Sequence, residues 1–309
     1  MPIVLGLASS HAPAMFAPPE TWPQIHKGLT RDVPQPLKLA EETPEVRASY
    51  AARIAAGFAN LKGRLDRARI DLLIIVGDDQ TEVFSGACVP SLAVFVGEQA
   101  SGTTSISWIG QKPEDNHITI KNDTKAAKRV VRELVKRGFD PAFCEELRPL
   151  GKPAAGLGHA FSRIARVMAL DQSGLPTIPV FLNGYHPPQP TGQRCYEIGL
   201  ALRDMFADRP ERVALYASGG LSHCPVGSRA GWIDEPLDRW ILERIERGES
   251  AALQNLFTFD SDTMRSGTGE IRSWITVAAA FAGKPGEVID YIPVIHSVTG
   301  LGFASWSAE

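Results

Sequence analysis

The sequence predicts an α/β protein: a single three-layer α/β/α domain over residues 1–309, with a central mixed, largely buried sheet. Three observations carry that reading. The run Ile70-Asp71-Leu72-Leu73-Ile74-Ile75-Val76 is almost continuously aliphatic, as strands are when helices cover both their faces. Such runs alternate along the chain with segments of helical periodicity, the order expected of βαβ units. A length of 309 residues is enough for one core with long functional loops.

Composition narrows the function classes. Hydrophobic residues make up 44%, charged residues 22%, and the net charge is -3, so there is no basic excess to attract nucleic acid or an anionic membrane. No apolar run approaches the roughly 18 residues of a membrane span. The chain reaches a strand at once without a basic leader, which predicts a cytoplasmic protein. Four scattered cysteines with no CxxC pair suit reduced thiols better than disulfides or a zinc knot.

In chain order, Ile3 to Leu7 reads as a strand that ends in Ser9-Ser10-His11-Ala12-Pro13. In an open α/β sheet ligands sit beyond the carboxyl ends of strands, so His11 stands where a metal or substrate would be met. Residues 8–43 are rich in proline and read as a long irregular segment, and its Met15, Phe16 and Trp22 suit a packed cover rather than a disordered tail. Thr43 and Pro44 then open a helix on which Tyr50, Ile54, Phe58, Leu61 and Leu65 recur at helical spacing.

The strand ending at Val76 delivers Gly77-Asp78-Asp79-Gln80 to its carboxyl end. If the extended chain continues, Asp78 and Gln80 face one way and Asp79 the other. Residues 92–96 and 117–120 read as further strands, and Asp123 caps a helix that stops at Gly138. The glycine-rich stretch from Gly151 to Gly158 delivers His159 to a helix start and lacks the spacing of a phosphate-binding loop. A strand over 177–182 ends in Asn183-Gly184-Tyr185-His186-Pro187-Pro188, followed by a helix from about 194 to 207.

A strand over 212–217 runs into Gly219-Gly220-Leu221-Ser222-His223. Adjacent Ser222 and His223 diverge and no GxSxG elbow is present, so His223 reads as an acid/base rather than as half of a nucleophilic pair. A helix follows over 236–247, and Gly269-Glu270 opens an apolar helix, where an acid is also favoured by the helix dipole. Val288 to Ile292 makes a seventh strand. His11, the turn at 78–80, His223 and Glu270 all fall at element ends, and two histidines with a carboxylate are a usual ligand set for non-haem iron(II).

The motifs Ser9-Ser10-His11-Ala12-Pro13, Asn183-Gly184-Tyr185-His186-Pro187-Pro188 through Arg194-Cys195-Tyr196, Gly219-Gly220-Leu221-Ser222-His223 and Gly269-Glu270 follow one another across nearly the whole chain. In that order they resemble the type III extradiol dioxygenases, the protocatechuate 4,5-dioxygenase catalytic-subunit family. Ala17-Pro18-Pro19-Glu20-Thr21-Trp22 and Gly77-Asp78-Asp79-Gln80 are most similar to its 3-O-methylgallate dioxygenase branch.

The resemblance implies a mononuclear Fe(II) enzyme, a homodimer, that opens a catecholic or gallate-like aromatic ring with O2. It implies that His11 and Glu270 are metal ligands, that His223 is the active-site acid/base, and that His159 lies beside the substrate. Where relatives carry a second ligand histidine after an Asp, this chain carries Gln80 after Asp79, which leaves Gln80, Asp78, Asp79 or His186 as the remaining ligand. That departure keeps two other classes open: a metal-dependent hydrolase or lyase on the same scaffold, and a binding protein that has lost the chemistry.

Overall fold

A computed structural model of the protein describes residues 3–147, 156–259 and 261–308. Residues 151–155 of the glycine-rich stretch lie outside the described residues. Strand β1 (Ile3–Ser9) is followed by helix α1 (Trp22–Thr30), helix α2 (Pro44–Ala68) and strand β2 (Leu72–Gly77). Strands β3 (Leu92–Phe95), β4 (Gln99–Thr103) and β5 (His117–Lys121) lead to α3 (Thr124–Lys136) and β6 (Ala142–Cys144). Next come α4 (His159–Val167), the single turn α5 (Leu170–Ser173), β7 (Thr177–Leu182), α6 (Gly192–Phe206) and β8 (Val213–Ser218). The chain closes with α7 (Glu235–Glu246), α8 (Ile271–Ala280), β9 (Glu287–Val294) and β10 (Thr299–Ser307).

Eight strands form one mixed sheet in the order β6-β3-β7-β2-β8-β1-β10-β9. Its centre is parallel, with β2 between β7 and β8, and β8 beside β1. Strands β3 and β10 run antiparallel to β7 and β1, which makes the sheet mixed. Successive β2 side chains face opposite layers. Ile74 and Val76 pack with Val130 and Leu134 of α3, Ile198 and Leu202 of α6, and Trp274 and Ile275 of α8. Leu73 and Ile75 pack on the other side with Ile54, Phe58 and Leu61 of α2 and Phe161 and Ile164 of α4. Each such aliphatic side chain contributes roughly 1.5–3 kcal/mol by leaving water, so a charge at Ile75 would be felt in the whole layer.

The helices start where local chemistry lets them. The Thr43 hydroxyl accepts the Val46 N–H at 3.4 Å with Pro44 in the first turn, and Asp123 accepts the Ala126 N–H at 2.9 Å. Four strands differ from the sequence expectation. β4 and β5 pair with each other outside the main sheet, so residues 117–121 are not one of its strands. β6 is a three-residue edge, and β10 is buried along nearly its whole length despite its Gly- and Ser-rich sequence. Residues 8–43 are less irregular than expected, because they contain α1 and bury Trp22 and Ile25. The four cysteines are free thiols, and among the described residues no helix is long and apolar enough to cross a membrane.

The consequence for function lies at one edge. Parallel β1, β2, β7 and β8 deliver their carboxyl ends there together, and antiparallel β10 begins there, where Thr299 bridges the backbone of His223.

Candidate active site

Four strand exits and the start of α8 supply the site. His11 follows β1, Asp78 follows β2, Tyr185 lies three residues beyond β7, and Gly219 to His223 extend β8. Helix α8 is docked on the end of β8 by two bonds: Trp274 Nε1 donates to the Gly219 carbonyl at 2.7 Å and Ser273 Oγ to the Ser218 carbonyl at 3.2 Å. This holds Glu270 beside the β8 turn, where its Oε2 accepts the Gly220 N–H at 2.7 Å. Gly219 has φ +124°, and a Cβ on it would lie 2.7 Å from Glu270 Oε2, so only glycine allows the carboxylate to come this close.

His11, Asp78 and Glu270 form a buried cluster whose candidate ligand atoms lie within 4.8 Å of one another. His11 Nε2 stands 3.5 Å from Glu270 Oε2 and 3.8 Å from Asp78 Oδ1. The other ring nitrogen fixes the tautomer. Ser218 Oγ gives its one proton to the Ala160 carbonyl at 2.5 Å, so it accepts from His11 Nδ1 at 3.0 Å. Nδ1 therefore carries the hydrogen and Nε2 presents a lone pair to the carboxylates. Burial pushes the His11 pKa down to about 3, which keeps the ring neutral, as ligation requires.

His11 Nε2 and both carboxylate oxygens of Asp78 are buried without a hydrogen-bond partner. Buried polar atoms are rarely left so. Burial, and then the charge of Glu270, push Asp78 well above the usual carboxylate range. Burial acts upward on Glu270 too, but the charges of His223 and His11 and the bonds from His223 and Gly220 outweigh it. A divalent cation would satisfy all three orphans at once and remove the repulsion between two buried carboxylates. An imidazole and two carboxylates suit such an ion, so the residues present fit a metal.

Around this trio stand the other expected residues. Gln80 Nε2 donates to Glu270 Oε1 at 3.0 Å, and the Tyr185 hydroxyl donates to the same oxygen at 2.7 Å. His223 Nδ1 donates to the Leu221 carbonyl at 2.9 Å, which leaves Nε2 facing Glu270 Oε1 at 3.2 Å and the Tyr185 hydroxyl at 3.4 Å. Burial lowers the His223 pKa, but the Glu270 charge and hydrogen bond outweigh it and the net shift is upward. Under the ring lies Gly267, where a Cβ would sit 2.0 Å from His223 Nε2.

His159 opens α4, and its backbone N–H and its Nδ1 both reach Glu82 Oε1, at 2.9 and 2.6 Å. Its ring meets that of His11 edge to face, with centroids 4.8 Å apart.

Asp79 and His186 are placed differently. The two oxygens of Asp79 accept the Val83 and Phe84 N–H groups at 2.9 and 3.0 Å, closing the turn after β2. His186 lies outside the cavity lined by His11 and Glu270, and its Nε2 has no hydrogen-bond partner. Sequence reasoning gave no role to Tyr185, Glu82 or Ser218. The first two sit in strand exits already singled out, which was the available signal; Ser218 is marked only by its contact with His11.

The cavity over this cluster measures about 230 Å³ and is lined by His11, Gln80, Glu82, His159, Tyr185, His223 and Glu270, with Trp108 and Ile106 above them. A larger hollow of about 660 Å³ lies between residues 33–50 and 228–235, around Tyr50 and Trp232. It contains none of the clustered histidines, so the chemistry belongs to the smaller one.

Comparison with known proteins follows the same lines. A sequence model of the family described as the catalytic LigB subunit of aromatic ring-opening dioxygenase matches residues 34–302. The chain is 25% identical over 208 residues to a 2,3-dihydroxyphenylpropionate/2,3-dihydroxicinnamic acid 1,2-dioxygenase of Photorhabdus laumondii, covering 67% of this chain and 59% of the relative. It is 31% identical over 121 residues to a gallate dioxygenase of Pseudomonas putida, covering 38% of this chain and 33% of the relative. The matches thus span less than two thirds of these curated relatives. A crystal structure of an uncharacterized protein from Escherichia coli K12 superposes over 97% of this chain and 99% of its own, with a TM-score of 0.51 at 14% identity, a likeness of fold alone.

Proposed function

The chain belongs to the LigB family of aromatic ring-opening dioxygenases, and from that premise we propose that it is a non-haem iron(II) extradiol dioxygenase acting on a catecholic or gallate-like aromatic acid. The observation that carries the reading is the buried trio of His11 Nε2 and the Asp78 and Glu270 carboxylates, with three orphaned acceptor atoms among them, next to a cavity of about 230 Å³ lined by His11 and Glu270. These three residues would hold the metal, with Gln80 reaching the same carboxylate from the side. Iron bound there would supply the Lewis acidity and electron transfer that ring opening with O2 requires.

The rest is work for the chain. His223 Nε2 is the acid/base: it faces the cavity, its other nitrogen is pinned, and the Glu270 charge favours its protonated form, so it can take a proton from a ring hydroxyl and return it later. The Tyr185 hydroxyl, 3.4 Å from Nε2, extends that proton path. His159, its Nδ1 held by Glu82, presents the opposite ring edge to the substrate. Trp108 and Ile106 add apolar surface to the cavity wall. The segments Ala17–Trp22 and Gly77–Gln80 support the 3-O-methylgallate branch as the first substrates to try.

The test is oxygen uptake by anaerobically purified, Fe(II)-reconstituted protein against catechols, gallates and methylgallates, with ultraviolet spectra in parallel. Stoichiometric uptake with a ring-opened chromophore supports the proposal; no uptake with stoichiometric bound metal sinks it. One observation favours a second reading. Two carboxylates and a single imidazole are a harder donor set than two imidazoles and a carboxylate, and suit a redox-inert ion that activates water for hydrolysis. Turnover without O2 would select it.

A further inference from the structure

Helix α4 brings a second functional group to the cavity. His159 and Arg163 are four residues apart, hence on one face and about one helical turn apart, and both line the cavity. Arg163 is only 5% exposed. Its Nη1 donates to the His11 carbonyl at 3.2 Å, while its Nε is buried with no hydrogen-bond partner. Phe16 covers the guanidinium, its ring centroid 5.8 Å from Cζ. No carboxylate among the described residues forms an ion pair with it. Glu82 is near enough to feel its charge, but its Oε1 is taken by His159 and its Oε2, also buried, makes no hydrogen bond to the guanidinium.

A buried guanidinium with one bond made and its Nε–H unused is costly unless something fills the vacancy. Its planar fork accepts the two oxygens of a carboxylate side by side, a geometry that an ammonium does not offer. A turn of helix rises about 5.4 Å, so Arg163 stands one turn from His159 and beside His11, whose carbonyl it binds.

We propose that Arg163 is the specificity residue that anchors the carboxylate of the aromatic substrate, holding the far end of the ring while the trio and His223 face its hydroxyls. This rests on the ring-opening reading for the identity of the ring, but the anchor is tested without O2. The probes are 3,4-dihydroxybenzoate and its neutral counterpart 3,4-dihydroxybenzamide, titrated calorimetrically under anaerobic conditions into metal-loaded wild type, Arg163→Gln and Arg163→Lys. Wild type should bind the acid about tenfold or more tighter than the amide. Arg163→Gln should bring the ratio close to one with the amide affinity unchanged, and Arg163→Lys should fall between.

The same preference in wild type and Arg163→Gln overturns the anchor and leaves ring opening intact. No preference in wild type, or no saturable binding of the acid, also overturns it. If both variants lose acid and amide alike, Arg163 shapes the cavity instead of reading the carboxylate, and the proposal falls. An Arg163-dependent preference combined with no oxygen uptake on the same acid would keep the anchor and sink the dioxygenase.

Discussion

The Nδ1 of His11 donates to the hydroxyl of Ser218 at 3.0 Å, and Ser218 passes its own proton to the first turn of α4 at Ala160. One serine thereby decides which nitrogen of His11 faces Asp78 and Glu270. Partners of this kind typically weigh 10-fold to 100-fold in metal affinity. Ser218→Ala is therefore expected to weaken metal binding by about tenfold with the fold intact. Competition with a chromogenic chelator measures it, and unchanged affinity would mean that the tautomer is set elsewhere.

Asp78 gives the most direct test of metal binding, since both its oxygens are buried without a hydrogen-bond partner. A metal that binds only the folded state at a hundred times its dissociation constant stabilises by about 2.7 kcal/mol. Wild type should show a corresponding rise in melting temperature on titration with a divalent ion. Asp78→Asn should show none, and should melt above metal-free wild type because one of two mutually repelling carboxylates is gone. An undiminished metal response in this variant would remove Asp78 from the ligand set.

His223→Gln should keep metal stoichiometry and lose about two to four orders of magnitude in turnover, the usual weight of a general acid/base. Metal content and initial rate measured on one preparation decide it. Turnover close to the wild-type rate would end the assignment.

Asp238 offers a pH test outside the trio of His11, Asp78 and Glu270. It is fully buried, takes bonds from the Ser222 N–H, the Ser222 hydroxyl and the Tyr291 hydroxyl, and burial raises its pKa to about 7. A carboxyl with a raised folded pKa adds stability that is complete below its unfolded value and lost as pH climbs through the folded one. Between about pH 4 and pH 7 wild type should thus lose on the order of 4 kcal/mol through this group. Asp238→Asn should flatten that decline in urea unfolding series. Parallel declines in both proteins would show that Asp238 is ionised in the fold throughout.

Much of this site could be read in the chain because strand exits are local events. An aliphatic run that stops at a histidine or an acid announces both the strand and the cargo, as at His11, Asp78 and the turn to His223. The choice between Asp78, Asp79 and Gln80 was not readable, since it depends on the two N–H groups at Val83 and Phe84 that occupy Asp79. Glu82 and Ser218 escaped for the same reason: their meaning lies in His159, 77 residues away, and in His11, 207 residues away. Strand β10 escaped because burial by neighbours, rather than β-branched side chains, makes it a strand. The fold class did not depend on any of these, as β2 alone required cover on both faces.

The position of β1 in the sheet sets a schedule. Its partners are β8 and β10, so Leu7 waits for Tyr216 on one side and Ser305 on the other. A pairing of such sequence separation is slow to close and forms late. During synthesis His11 leaves the ribosome early and stays without a sheet until some two hundred further residues have followed, and Glu270 comes later still. The nascent chain therefore has no complete site with which to capture a metal, and a metal ion would bind only the finished protein.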